Sequence, residues 1–373
     1  MQKEKFKDIF NFQKKSKIKA GDGLKLGEGK YPFYTSSNVL TKSLDDYLFE
    51  KESLIFGTGG LASIHHCNEK FAVSTDCFVT QPIDSKKAFP KFIYYYLSGN
   101  IHILENGFKG AGLKHISKDY IENIEIPLPS LPTQQKIASI LDKADELRQY
   151  NHQLLAKYDT LTQSLFLDMF GDPVKNEKGF EITTIRELCD EVKYGTSEKA
   201  SDQGKYAYLR MNNITYDGHM DFRDLKYVNL SDKDLHKYIV KKGDVLFNRT
   251  NSKELVGKTG IITTDDKYVI AGYLIRVRTN NLANPYYLWA HLNSKWAKLN
   301  LNNMCKNIVG MANINAQELQ DIKILKAPIT LQNQFAERVA VIEAQKQQAQ
   351  EALVKSEQLF QGLLQQAFNG GLS

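Results

Sequence analysis

Cysteine is scarce: the 373 residues hold four, Cys67, Cys77, Cys189 and Cys305, with no CxxC pair among them. That excludes a disulfide scaffold and the common zinc ribbons, and it fits free thiols in a reducing compartment. Histidine is also sparse, and the grouping His65, His66, Cys67 and Cys77 matches no common zinc spacing. No window approaches the roughly 18 consecutive apolar residues of a membrane span, and MQKEKFKDIF carries charges where a secretory leader needs an apolar run. A cytoplasmic protein is expected. No PD…ExK arrangement or metal-ligand histidine pair stands out, which argues against a self-contained nuclease.

What is present is a globular composition, 42% hydrophobic and 25% charged, in a chain long enough for two ordinary domains. Formal net charge is +6 and the first thirty residues carry nine lysines, a balance compatible with a polyanionic partner.

The chain repeats itself. Residues 116–172 lie beside residues 314–370 at a constant offset of 198, with Ile116 against Ile314, Ile124 against Ile322, Ile137 against Phe335, Leu155 against Leu353 and Phe170 against Phe368. Upstream, with small shifts, "FPKFIYYYLSGN" (89–100) matches "NPYYLWAHLNSK" (284–295), and "LIFGTGG" (54–60) matches "VLFNRTN" (245–251). The repeating unit is a mixed domain followed by a long helix. Short apolar runs separated by turn signals predict strands in each domain. The expected boundaries are a first domain at 1–130, a helix at 131–172, a second domain at 173–327 and a helix at 328–373.

The first helix reads as a heptad seam through Ile137, Ile140, Ala144, Leu147, Asn151, Leu154, Tyr158, Leu161 and Leu165. The second reads through Phe335, Val339, Ile342, Ala349, Leu353, Phe360, Leu363 and Ala367, interrupted by Lys346 and Ser356. Asn151 either fixes the pairing register or faces water at a boundary. A helix of about 35 residues would run about 50 Å, which suits a spacer between domains.

Two variable domains alternating with two related helices, the entry "PLPSLPTQQKIASILDKADEL", and the stretches "YPFYTSSN", "GTGGLASIHH", "STDCFV", "YLRMNNI" and "DVLFNRT" resemble the DNA-specificity subunit of type I restriction–modification systems. The resemblance covers essentially the whole chain. It implies an α/β (α+β) fold: two mixed target-recognition domains with curved sheets, two long antiparallel coiled-coil helices and an internal pseudo-two-fold repeat. It implies a non-catalytic subunit that reads a bipartite target in double-stranded DNA, one half per domain. The helices would set half-site spacing and dock two methyltransferase subunits, which motor-nuclease subunits join. S-adenosylmethionine, ATP and Mg would then belong to those partners, with no cofactor in this chain. Exposed seam residues would favour self-association of the isolated chain.

Base reading calls for guanidinium, amide and hydroxyl side chains on rigidly backed loops, and lysines for phosphate. The first domain offers Tyr34, Thr35, Ser36, Ser37, Asn38, Thr58, Ser63, His65, Lys109 and Lys114. The second offers Arg210, Asn212, Asn213, Asn248, Arg249, Thr250, Asn251, Lys306 and Asn307. Two readings of another class compete. A DNA amino-methyltransferase would use "FGTGG" as a cofactor loop and "NPYY" (284–287) at the target amine, but "FGTGG" precedes another strand instead of the helix such a loop needs. A coiled-coil protein scaffold would explain the seams but not the polar variable loops.

Overall fold

The structure is a computed structural model that describes residues 3–308 and 311–368, with the side chains of 306–308 and 311 outside the description. The chain divides into two compact units, Met1–His152 with Glu351–Ser373, and Gln153–Gln350. Both are mixed α/β with open sheets.

In the first unit an antiparallel sheet runs in the spatial order Phe10–Phe12, Cys77–Pro82, Ser53–Gly57, Ile64–Cys67. In the second the order is Cys189–Tyr194, Leu274–Thr279, Val245–Asn248, Thr259–Ile261. In chain order both read first, last, second, third. Each sheet buries apolar side chains against a helix that a proline starts, Pro90–Gly99 or Pro285–Asn293, where the missing amide donor costs nothing. A smaller sheet accompanies each, with one parallel pairing: Tyr31–Tyr34 beside Ala72–Val73, and Tyr206–Leu209 beside Tyr268–Ile270.

The long helices span Leu131–Phe170 and Ile329–Phe368. Along the first, the buried or partly buried stripe runs Ile137, Leu141, Ala144, Arg148, Asn151, Leu155, Tyr158, Thr162, Phe166. Ile137, Ala144, Asn151 and Tyr158, and likewise Leu141, Arg148, Leu155 and Thr162, recur every seven residues, so the heptad period holds and the second seam position lies one residue later than expected. Leu147 is 46% exposed and Leu161 42%, while Leu154 is half-buried. Along the second helix, Phe335, Val339, Ile342, Ala349, Leu353 and Phe360 are buried as expected, and Leu364 replaces Leu363. Asn151 is 5% exposed and donates to Ser356 Oγ at 3.1 Å, so it is a satisfied buried amide and not a boundary residue.

A buried glutamine locks each helix entry. Gln134 Nε2 donates to Pro129 O and Lys87 O, and its Oε1 accepts from Phe89 N. Gln332 does the same with Ala327 O, Leu282 O and Asn284 N. Both are fully buried, so each bond replaces water that is no longer available.

His291, 1% exposed beside Phe166 and Trp296, has its pKa lowered to about 4 by burial. The unfolded imidazole titrates near 6.5, so below that pH the unfolded state binds a proton that the folded state refuses. Stability of the Gln153–Gln350 unit should therefore fall as pH drops through the window from about 6.5 to 4. Between pH 7 and 5 this group contributes a loss of about 2 kcal/mol. Urea titrations at both pH values should show His291→Leu flattening the dependence by that amount.

Candidate nucleic-acid interface

In the second unit the strand Val245–Asn248 delivers Arg249 to a cleft of about 600 Å³. Arg210, Asn212 and Arg249 all line it, together with Lys199, Tyr208 and Tyr273. The Arg249 guanidinium is held on three sides. Its Nε donates to Gly272 O at 2.9 Å, its Nη1 donates to Asn313 Oδ1 at 3.0 Å, and it lies 5.0 Å from the Tyr194 ring centroid. Asn313 Oδ1 also accepts from Thr250 Oγ1 at 3.1 Å, and Thr250 pairs with Asn313 across an antiparallel ladder. A fixed guanidinium loses little rotamer entropy on meeting a ligand, which suits a planar acceptor edge such as guanine.

Asn212 is exposed at the cleft rim, on the turn Met211–Asn213. Lys258 builds that turn from beneath, donating from Nζ to Met211 O at 2.8 Å and Ile214 O at 2.5 Å. Burial pushes its pKa down. Arg210 reaches Asp224 with Nη2 at 3.0 Å, which restrains it at the cleft wall.

In the first unit the corresponding loops also meet. Gly59 bridges His115, Ile116 N donates to Thr58 O at 3.2 Å, and Lys109 pairs with His115 in a two-stranded ribbon. Thr58, Lys109 and Lys114 are thus carried on adjoining segments, with both lysines exposed. The loop 35–38 is tied down by Ser63 Oγ donating to Ser36 O at 3.2 Å and by His65 Nε2 beside Ser37 O at 2.8 Å.

Several expected contacts prove to be internal. Asn213 and Asn248 are buried: Asn213 accepts from Arg210 N and donates to Asp221 O and Asp224 O, and Asn248 donates to Leu255 O. Thr58, Ser63 and Thr250 are also buried, with their hydroxyls donating to Asp76 O, Ser36 O and Asn313 Oδ1. Side chains spent on the protein's own backbone shape loops and do not read bases. Tyr34 and His65 line a cavity of about 380 Å³ together with Lys91, Asp142, Asp145 and Glu146, where Lys91 pairs with Asp142 and Arg148 with Asp145. Burial raises the Tyr34 phenol pKa and lowers that of His65 despite its bond to Ser37. Ser36 and Thr35 are partly exposed, and Ser37, Asn38 and Asn212 are exposed. Asn251 is partly exposed beside Ala312. The Lys306 and Asn307 side chains lie outside the described residues.

Neither methyltransferase motif survives in space. The strand Ser53–Gly57 turns directly into the antiparallel strand Ile64–Cys67, with Phe56 opposite Ile64, so no helix follows "FGTGG". Gly57 is required because a Cβ there would sit 2.9 Å from Ser36 Cα, and Gly60 has φ +82°. In "NPYY", Asn284 caps a helix and Tyr287 is a core residue that donates to Leu325 O at 2.6 Å.

Two polar clefts or loop clusters, each on a sheet of the same strand order, and no cofactor cradle in "FGTGG" point to recognition. The family model for the type I restriction modification DNA specificity domain matches residues 1–157 and 177–353. The chain belongs to this family. The specificity subunit of the type I restriction enzyme EcoKI from Escherichia coli K12 is 24% identical over 339 residues, covering 84% of this chain and 72% of that one. The crystal structure of the type I restriction–modification S subunit from M. genitalium superposes with TM-score 0.66 at 16% identity, covering 98% and 95% of the two chains. A second solved chain, from work on assembly and conformational transition of a type I system, gives TM-score 0.56 at 16% identity over 99% and 98%. Specificity subunits are DNA-recognising, non-catalytic components of their systems. Among the described residues, no helix is long and apolar enough to cross a membrane.

Proposed function

We propose that this chain reads a bipartite DNA target, one half by each domain (1–130 and 173–327), while the helices 131–172 and 328–373 pair antiparallel, set the half-site spacing and dock two methyltransferase subunits. Motor-nuclease subunits join that complex in the cytoplasm. S-adenosylmethionine, ATP and Mg reside on the partners.

The observation that carries the reading is a reciprocity in the ion pairs of the two long helices. Arg148 Nη1 lies 3.5 Å from Glu357 Oε2, and Lys346 Nζ lies 2.6 Å from Asp159 Oδ1. Moved by the 198-residue repeat offset, Arg148 becomes Lys346, and Asp159 becomes Glu357. Contacts of i with j matched by j with i mark a two-fold interface between like subunits. An internal pseudo-two-fold repeat in one chain gives the same pattern. The glutamine locks at Gln134 and Gln332 support it independently, being 198 apart with equivalent partners. Because the two domains differ at Gly59 and Thr250, at Gly60 and Asn251, and at His115 and Asn313, the two half-sites should differ as well.

Footprinting of the assembled complex on a duplex that it modifies tests this. Two protected patches with an unread gap between them are expected. One continuous patch would contradict it.

A further inference from the structure

The two most exposed leucines of the described chain, Leu61 at 78% and Leu113 at 80%, stand on the adjoining loops of the first domain. Gly59 and His115 face each other in an isolated antiparallel bridge, and Leu61 and Leu113 each stand two residues from it, on the bends where the two segments leave that bridge. A single exposed leucine needs no explanation; two brought to the same tip do. The segments that carry them hold no carboxylate, residues 57–68 having none and residues 106–118 having Lys109, Lys114 and Lys118. Lys118 is paired with Glu122, which leaves the exposed Lys109 and Lys114 as the cations nearest the leucines, and an apolar tip beside exposed cations complements a polyanion with an apolar feature inside its charged rim. Two side chains are also far too few to hold a stable protein partner, whose interface buries about 800 Å² per side.

The major groove offers one such feature, the thymine 5-methyl group, which apolar side chains read by contact. We propose that Leu61 and Leu113 form an apolar pair that reads a thymine methyl in the half-site contacted by the first domain. The proposal rests on the DNA-recognition reading above and extends it to a named base feature. In the second domain the paired residues are Thr250 with Asn313 and Asn251 with Ala312, and the position matching Leu61 is Ser252. The position matching Leu113 is Met311, so the second domain repeats at most half of the apolar pair, and methyl reading is expected chiefly in the half-site of the first domain.

Deoxyuridine differs from thymidine only by that methyl. The test measures Kd for the full chain assembled with its methyltransferase on duplexes carrying its mapped target, with deoxyuridine replacing thymidine in one half-site at a time. The wild type is expected to lose about fivefold in affinity from substitution in one half-site only, the loss expected for one buried methyl. The double variant Leu61→Ala/Leu113→Ala should bind the thymidine duplex about fivefold more weakly and be indifferent to deoxyuridine. Both leucines are exposed, so their replacement leaves the fold intact, which an unchanged unfolding midpoint would verify. A wild type indifferent to deoxyuridine in both halves would overturn the proposal. So would a double variant that keeps the full deoxyuridine penalty, since the leucines would then contact backbone or another protein. An assembly with no sequence choice on any duplex would overturn the specificity reading itself, a result distinct from either of these.

Discussion

Replacing Arg249 with alanine should cost about 10- to 100-fold in affinity for the cognate second half-site, and should leave the first half-site and methyltransferase docking unchanged. One well-placed guanidinium contact to a base edge is worth about 1–3 kcal/mol of discrimination. Arg249 is already oriented by Gly272 O, Asn313 Oδ1 and the Tyr194 ring, so little ordering cost dilutes that value. Binding curves on matched and mismatched half-sites would read the loss. Unchanged discrimination would remove Arg249 from the reading surface. Arg249→Lys should fall near the alanine value, because an ammonium cannot reproduce the planar fork.

Asp244→Ala is expected to destabilise the Gln153–Gln350 unit by about 3–5 kcal/mol, the cost of stripping a carboxylate from a buried ionic cluster. Asp244 is 3% exposed. It accepts from Arg278 Nε at 2.8 Å and Nη2 at 3.1 Å, and from Lys241 N at 2.9 Å. Arg276, 1% exposed, lies 3.9 Å from the same carboxylate and is bonded to Glu191. Without Asp244 the two arginines share Glu191 alone. Burial opposes ionisation of Glu191, but its bonds to Lys193 and Arg276 win and hold its pKa below the usual range. Denaturant unfolding at pH 7 would measure the change, and a loss under 1 kcal/mol would show that the cluster is too well hydrated to matter. Because Asp244 precedes the strand that presents Arg249, recognition of the second half-site should weaken alongside stability.

Much of this organisation was legible in the sequence because a repeat displays its architecture twice. The 198-residue offset located both helices, and a slightly shifted match upstream paired "GTGG" with "NRTN", segments that do occupy matching places beside His115 and Asn313. The seam keeps the heptad period legible in the sequence, but Leu147 and Leu161 face out because its second position falls one residue later, at Arg148 and Thr162. Composition could rank Arg249, Arg210 and Asn212 as base readers, and the cleft gathers all three. It could not separate them from Asn213 and Asn248, because an amide that braces its own loop and one that faces DNA have the same local pattern. Gln134 and Gln332 were missed although they share the offset, and a polar residue kept in both copies of a helix entry was the available signal. The Arg276–Asp244 cluster and Lys258 left no local trace, since their partners come from distant strands and turns.

The measurement that bears most directly on the central claim is a map of methylated adenines across a genome in which this chain is expressed with its methyltransferase. Two unlike half-sites at one fixed spacing, with methylation in each, are predicted. A palindromic or uninterrupted motif, or adenines modified without regard to this chain, would contradict the account.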